Sequence, residues 1–160
     1  MVNNNMTRCP TEDRFALEDL ITGYCLAVDK LSDVDALVSI FTPDAVCDFS
    51  GIGLPSLGGA QAIREFFDRV FADMTHHAHY SSNFAVLSYE GDLATIGAYI
   101  IGMGRARDGG EVLVHVRYRL DCLRTAQGWK CRRFFITPLM PVSGALEANR
   151  EIYFGAEAVA

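Results

Sequence analysis

A chain of 160 residues, half of them hydrophobic and 21% charged, is long enough to bury a core, which excludes disorder as its general state. A net charge of −6 excludes general nucleic-acid binding, which depends on neutralising phosphates. No apolar run reaches the ~18 residues of a membrane span and no basic-then-apolar leader opens the chain. The five cysteines form no CxxC pair, so reduced thiols in a cytoplasmic protein are expected. The apolar fraction slightly exceeds the needs of a plain monomer. A pocket or a subunit interface would use the surplus.

The elements follow in order. Residues 1–10, MVNNNMTRCP, read as a loose arm. Thr11 is placed to cap a helix through about Lys30, with Glu12 and Asp13 in its first turn and Leu17, Leu20, Ile21, Tyr24 and Val28 on its buried face. Ser32 and Asp35 have the spacing of a capping box for a shorter helix ending near Phe41, beyond which Pro43 blocks continuation. AVCDFSG, residues 45–51, reads as a strand. Gly51 to Gly59, with four glycines and a proline, reads as a loop at a pocket rim. Ala60 to Met74 returns to helical period through Ile63, Phe66, Phe67, Val70 and Phe71. Strands are then expected near 78–90, 93–105, 111–124 and 129–137, separated by the turn signals EGD, RDGG and TAQG.

Helices followed by long antiparallel strands predict an α+β domain over residues 11–142, with 143–160 as a C-terminal segment at an oligomer interface. A curved antiparallel sheet wrapped around the N-terminal helices would form a cone with an apolar pocket, a natural small-molecule site. Eight of the fourteen Lys and Arg residues lie between Arg105 and Arg133, and Arg117 and Arg119 alternate with Val116, Tyr118 and Leu120. That alternation reads as the solvated or intersubunit face of a sheet.

The chain carries no Walker loop, Rossmann fingerprint or GxSxG elbow, and its GIG (Gly51 to Gly53) and GMG (Gly102 to Gly104) are too short for phosphate loops. Cys25 and Cys122 lie among apolar neighbours with nothing nearby to lower a thiol pKa, so they read as packing residues. Attention falls on THHAHYSSNF, residues 75–84, which holds three of the four histidines. His77-x-His79 has the spacing of a metal pair, but no third ligand is fixed by spacing. The cluster also fits a general base tuned to neutral pH, or a polar strand entrance. Asp29, after the apolar run Cys25 to Val28, stands at the negative end of a helix dipole, where an anion is unfavourable without a partner.

Taken together, Tyr24-Cys-Leu-Ala-Val28-Asp29-Lys30, Phe41-Thr-Pro-Asp44-Ala45, His79-Tyr80-x-x-Asn83 and Gly128-Trp129-Lys130 resemble the SnoaL-like branch of the nuclear transport factor 2-like superfamily over roughly residues 12–140. The likeness is greatest to cofactor-free lyases: scytalone dehydratase, bile-acid 7α-dehydratase and hexachlorocyclohexane dehydrochlorinase. The resemblance implies an α+β cone whose pocket holds an Asp–His pair, carried here by Asp29 and His79, with His76 and His77 at the rim. It implies no metal and no cofactor. Tyr24 stands where the bile-acid enzyme has a tyrosine and the dehydrochlorinase a lysine, which favours a phenol assisting an oxygen over dehalogenation.

Further pocket candidates are Phe49, Tyr118, His115 and Arg133, the last sharing alternation parity with Trp129 and Cys131. ITPLMP resembles the dehydrochlorinase's closing segment and adds Thr137 and Leu139. The expected activity is that of a dehydratase or hydratase acting on a hydrophobic cyclic or polyketide-like molecule. An isomerase or an aromatic retro-aldol lyase could use the same residues, and a noncatalytic binding module could use the same fold. A homo-oligomer, trimer or dimer, is expected, with no nucleic-acid or membrane partner.

Overall fold

The structure, a computed structural model, describes residues 8–141. Most of the expected N-terminal arm and all of the segment 143–160 lie outside the described residues. Helix α1 covers Thr11–Lys30 and buries Leu17, Ile21, Tyr24 and Val28 as the apolar spacing predicts, together with Cys25 and Ala27, while Leu20 is only partly buried. Its cap is different: Pro10, not Thr11, takes that position, and no side chain closes it. First-turn N–H groups have no partner within the helix, so a proline here costs little. Asp13 instead fastens this end of the helix to the sheet. Its carboxylate accepts hydrogen bonds from the Tyr89 hydroxyl (2.6 Å), Arg124 (2.7 Å) and Trp129 Nε1 (3.1 Å). These donors, Arg124 foremost, hold its pKa well below the ordinary carboxylate range.

At the other end, Leu31 adopts a left-handed conformation (φ 53°) and its N–H bonds the Val28 carbonyl, stopping α1 just after Asp29 and Lys30. Helix α2 is only Val34–Val38, and Asp33 caps it in place of Ser32, its carboxylate accepting from the Ala36 N–H at 2.9 Å. Strand β1 (Phe41–Asp48) begins earlier than expected and includes Pro43. Its pairing to the last strand jumps from Phe41↔Cys131 to Val46↔Arg133, so the proline falls in an unpaired interval where its missing N–H is not needed. The glycine-rich stretch contains a 3₁₀ turn at Ser50–Ile52 and a short strand β2 (Ser56–Gly58). Helix α3 spans Ala60–Asp73.

The four long strands are β3 (Met74–Glu90), β4 (Leu93–Ala106), β5 (Glu111–Thr125) and β6 (Gly128–Pro138). They form the expected antiparallel meander, and the full order is β2-β1-β6-β5-β4-β3. Because β1 joins β6 in parallel, the sheet is mixed, and it does not close. With the helices packed against it, the domain is an α+β cone. Bulges bend the long strands. One in β3 falls between Ser82 and Ala85, where Asn83 takes a positive φ of 55°, a region asparagine tolerates better than most residues.

The core sits between helices and sheet. Tyr24 is at its centre, its ring edge-on to Phe134 (4.8 Å between centroids), Tyr118 (5.7 Å) and Phe67 (6.0 Å). Such pairs contribute roughly 0.5–1.5 kcal/mol each beyond simple area burial. Along β5, Val114, Val116, Tyr118 and Leu120 face this core while Arg117 and Arg119 face outward. There the two guanidinium groups lie over Tyr99 and Phe135. No helix among the described residues is long and apolar enough to cross a membrane.

Candidate active site

Asp29 leaves the last turn of α1 directly opposite His79 on β3. Its Oδ1 lies 2.6 Å from His79 Nδ1, and its Oδ2 accepts the His79 backbone N–H at 3.1 Å. One carboxylate thus holds both the ring and the main chain of the same residue. A carboxylate only accepts, so the bond at Nδ1 places a proton there, and in the neutral ring the lone pair then lies on Nε2. The pair is largely shielded, with side-chain exposures of 10% for His79 and 25% for Asp29. Partial burial works against the Asp29 charge, but the hydrogen bonds and charge of His79 outweigh it and leave the carboxyl below its ordinary pKa.

His79 lines an apolar cavity of about 90 Å³ together with Tyr24, Phe49, Phe67, His77 and Tyr118. Val28, Ile52, Val114 and Ile136 supply more of its wall. Tyr24 and Tyr118 are buried, and desolvation raises both phenols well above their usual pKa, so they keep their protons. The cavity therefore offers two phenols, one imidazole backed by a carboxylate and a second imidazole, His77, in a wall that is otherwise mainly apolar. Tyr24, Asp29, His79, Phe49 and Tyr118 are brought together as expected positions.

Four candidates are not brought to it. Arg133 is exposed on the outer face. Cys122 pairs with Cys131 but Asp121 with Arg133, so a bulge inserts one residue and reverses the parity after Cys131. Phe134 and Ile136 take the inward positions instead. His115 shares the outer face of β5 with Leu113 and Arg117, and Thr137 and Leu139 are exposed near the end of β6. None of these four lines the cavity.

His77 is the reverse case. It lines the cavity and is not merely a rim residue; only His76 of the two is exposed. Burial, then the charge of His79, push its pKa down to about 4, against the opposing pull of Asp29 and the Val28 carbonyl. Two glycines make room for this arrangement. His77 is registered with Gly104 and His79 with Gly102 across the β3–β4 ladder. A Cβ at Gly104 would lie 2.5 Å from His77 Cδ2, and one at Gly102 would lie 3.3 Å from His79 Cδ2. The sequence signal was available: HAH and GMG both alternate with period two on neighbouring strands. Among the described residues, no three His, Cys, Asp or Glu side chains converge as a metal-ligand set.

Comparisons with known proteins agree with this architecture. A crystal structure from Novosphingobium aromaticivorans, provisionally named an aromatic ring hydroxylase, is 54% identical, with a TM-score of 0.85 over 88% of this chain and 98% of that one. A provisionally named scytalone dehydratase from Novosphingobium aromaticivorans DSM 12444 shares the fold at 15% identity, with a TM-score of 0.72 over 82% of this chain and 89% of that one. The uncharacterized protein Rv2910c of Mycobacterium tuberculosis is 31% identical over 123 residues, 76% of this chain and 82% of its own. A family model described as SnoaL-like domain matches residues 10–134, and the chain belongs to that family.

Proposed function

We propose that this protein is a cofactor-independent lyase of the dehydratase or hydratase type, acting on a hydrophobic cyclic molecule. The observation that carries the reading is the 2.6 Å Asp29–His79 pair on the wall of an apolar cavity. His79 Nε2 takes a proton from substrate carbon, and Asp29 stabilises the imidazolium that results. The carbon–hydrogen electron pair becomes the new double bond as the neighbouring carbon–oxygen bond breaks. The imidazolium then returns the proton to the departing hydroxyl, releasing water and restoring the base. Tyr24, kept protonated by burial, donates a hydrogen bond to the oxygen on which charge builds. Hydration is the same sequence reversed.

An aromatic or aromatising ring suits the cavity's ring-lined wall, and the name of the 54% identical neighbour points to the same class of molecule. An isomerase would use the same base and return the proton to a different carbon. The test is incubation of hydroxylated cyclic compounds with the protein in D₂O. Loss of one water from a compound, with His79-dependent deuterium uptake into recovered substrate, supports the lyase. Uptake without loss of water identifies the isomerase, and neither result with any bound compound identifies a binding module. Product oxygen traced to dioxygen would instead assign a hydroxylase. The same proposal takes the outer sheet face as the contact between copies in a dimer or trimer.

A further inference from the structure

His77 stands two residues before His79 on β3, with the two ring centroids 5.7 Å apart and the planes nearly perpendicular at 82°. On its far side lies a groove of about 490 Å³, bounded also by His76, Arg105 and Glu111. Met103, Arg105, Glu111 and Leu113 share the outer register of the sheet, so the groove lies mainly on that side, whereas His77 lines the cavity on the inner side. Arg105 and Glu111 are paired with each other in the groove wall. Both Asp29 oxygens are engaged by His79. The Nδ1 of His77 is shut away from solvent and makes no hydrogen bond of good geometry among the described residues, although the Val28 carbonyl draws on the ring.

We infer that His77 is a second ligand-contacting imidazole, whose Nε2 edge hydrogen-bonds an oxygen substituent on an apolar ring held in the cavity. This rests on the cavity being the substrate site, though not on the lyase chemistry. Nδ1 is closed to any ligand and the Val28 carbonyl is the group that draws on the ring, so Nε2 is the nitrogen left to meet a ligand oxygen, a capacity costly to leave unused in an apolar wall. The neutral state favoured by burial completes the division of work: His79 is backed by a carboxylate and able to take a proton, while His77 beside it stays uncharged and does not compete for that proton. The substrate class is thereby narrowed to rings bearing a hydroxyl or keto oxygen near the carbon that faces His79.

The experiment compares p-cresol with toluene, which share a methylated ring and differ by one hydroxyl. Binding to the full-length protein is followed by NMR titration in the wild type and in the His77→Phe and His77→Gln variants. His77→Phe is expected to weaken p-cresol binding by roughly 3- to 10-fold, the usual worth of one net hydrogen bond, with toluene changed by less than about twofold. His77→Gln, which keeps a polar group, is expected to retain part of the p-cresol affinity. If His77→Phe does not fold, the same selective loss is read from His77→Gln at smaller size. Equal weakening of both compounds, undiminished p-cresol binding, or no saturable binding to the wild type would each overturn the inference. Because no turnover is measured, absence of lyase activity would leave this result standing.

Discussion

His77 lies across the β3–β4 ladder from Gly104, and its ring, together with the Met74 methyl, occupies the space where any larger residue would place a Cβ. Gly102 faces His79 less tightly, its Cβ position 3.1 Å from Val114 Cγ2 and 3.3 Å from His79 Cδ2. Gly104→Ala is therefore expected to destabilise more than Gly102→Ala, by about 1–3 kcal/mol, the usual cost of overpacking. Thermal melts of the two variants check the order. Equal melting temperatures would show that the His77 ring and the Met74 methyl move aside freely.

The Asp29–His79 bond makes a second expectation. His79→Gln should lower turnover by roughly 10²–10⁴-fold, the range for loss of a general base. Asp29→Asn should act by a related route, since an amide can favour the wrong tautomer and cannot stabilise the imidazolium. Tyr24→Phe should cost less, because only one hydrogen bond is removed while the buried ring stays. Steady-state rates on a compound found by the D₂O screen decide. Near-native rates for both dyad variants, with Tyr24→Phe inactive, would move the chemistry to the tyrosine.

Stability should depend on pH through His77. Its pKa is about 4 in the folded chain and near the ordinary 6.5 when unfolded. Between these values the unfolded state binds the extra proton, so stability rises with pH through this window and falls on acidification. The full effect is about 3 kcal/mol. Asp29, with its pKa lowered, contributes in the other window: its stabilisation is present above its unfolded pKa of 3.8 and is lost as pH falls through the still lower folded value. Urea unfolding at pH 7 and pH 5 should show the His77 effect in the wild type and a smaller difference in His77→Gln. An unchanged slope in that variant would assign the acid sensitivity elsewhere.

The parts of this fold legible from residues alone are those set by local rules. The long strands follow from period-two alternation and from the turns at EGD, RDGG and TAQG, and α1 follows from its apolar stripe. Asp29 and His79 were legible through the motifs around them. What local rules cannot supply is register. The bulge near Arg132 turns Arg133 outward, and the parallel partnership of β1 with β6 depends on residues some ninety positions apart. His77 looked peripheral because the strand was expected to start after it; β3 in fact begins at Met74, which gives His77 and His79 a common face. Thr11 does not cap the helix because the helix already begins at it, with Pro10 in the cap position; Asp13 ties that end to Tyr89, Arg124 and Trp129.

The outer face of the sheet carries the last expectation. Tyr80, Ile101, Met103 and Leu113 are 62%, 40%, 37% and 45% exposed, and the register sets Tyr80 beside Ile101 and Met103 beside Leu113. Tyr99 extends the patch, with Arg117 over its ring. Contiguous apolar side chains spread over three strands are what a subunit contact covers, whereas scattered single ones need no explanation. A dimer or trimer is expected at micromolar concentration by sedimentation. Ile101→Glu should convert it toward monomer while leaving the far-ultraviolet circular dichroism unchanged, because the side chain points away from the core. A wild type sedimenting as the 17.6 kDa monomer would remove the case for this interface. An Ile101→Glu variant that remained oligomeric would place the contact on another surface.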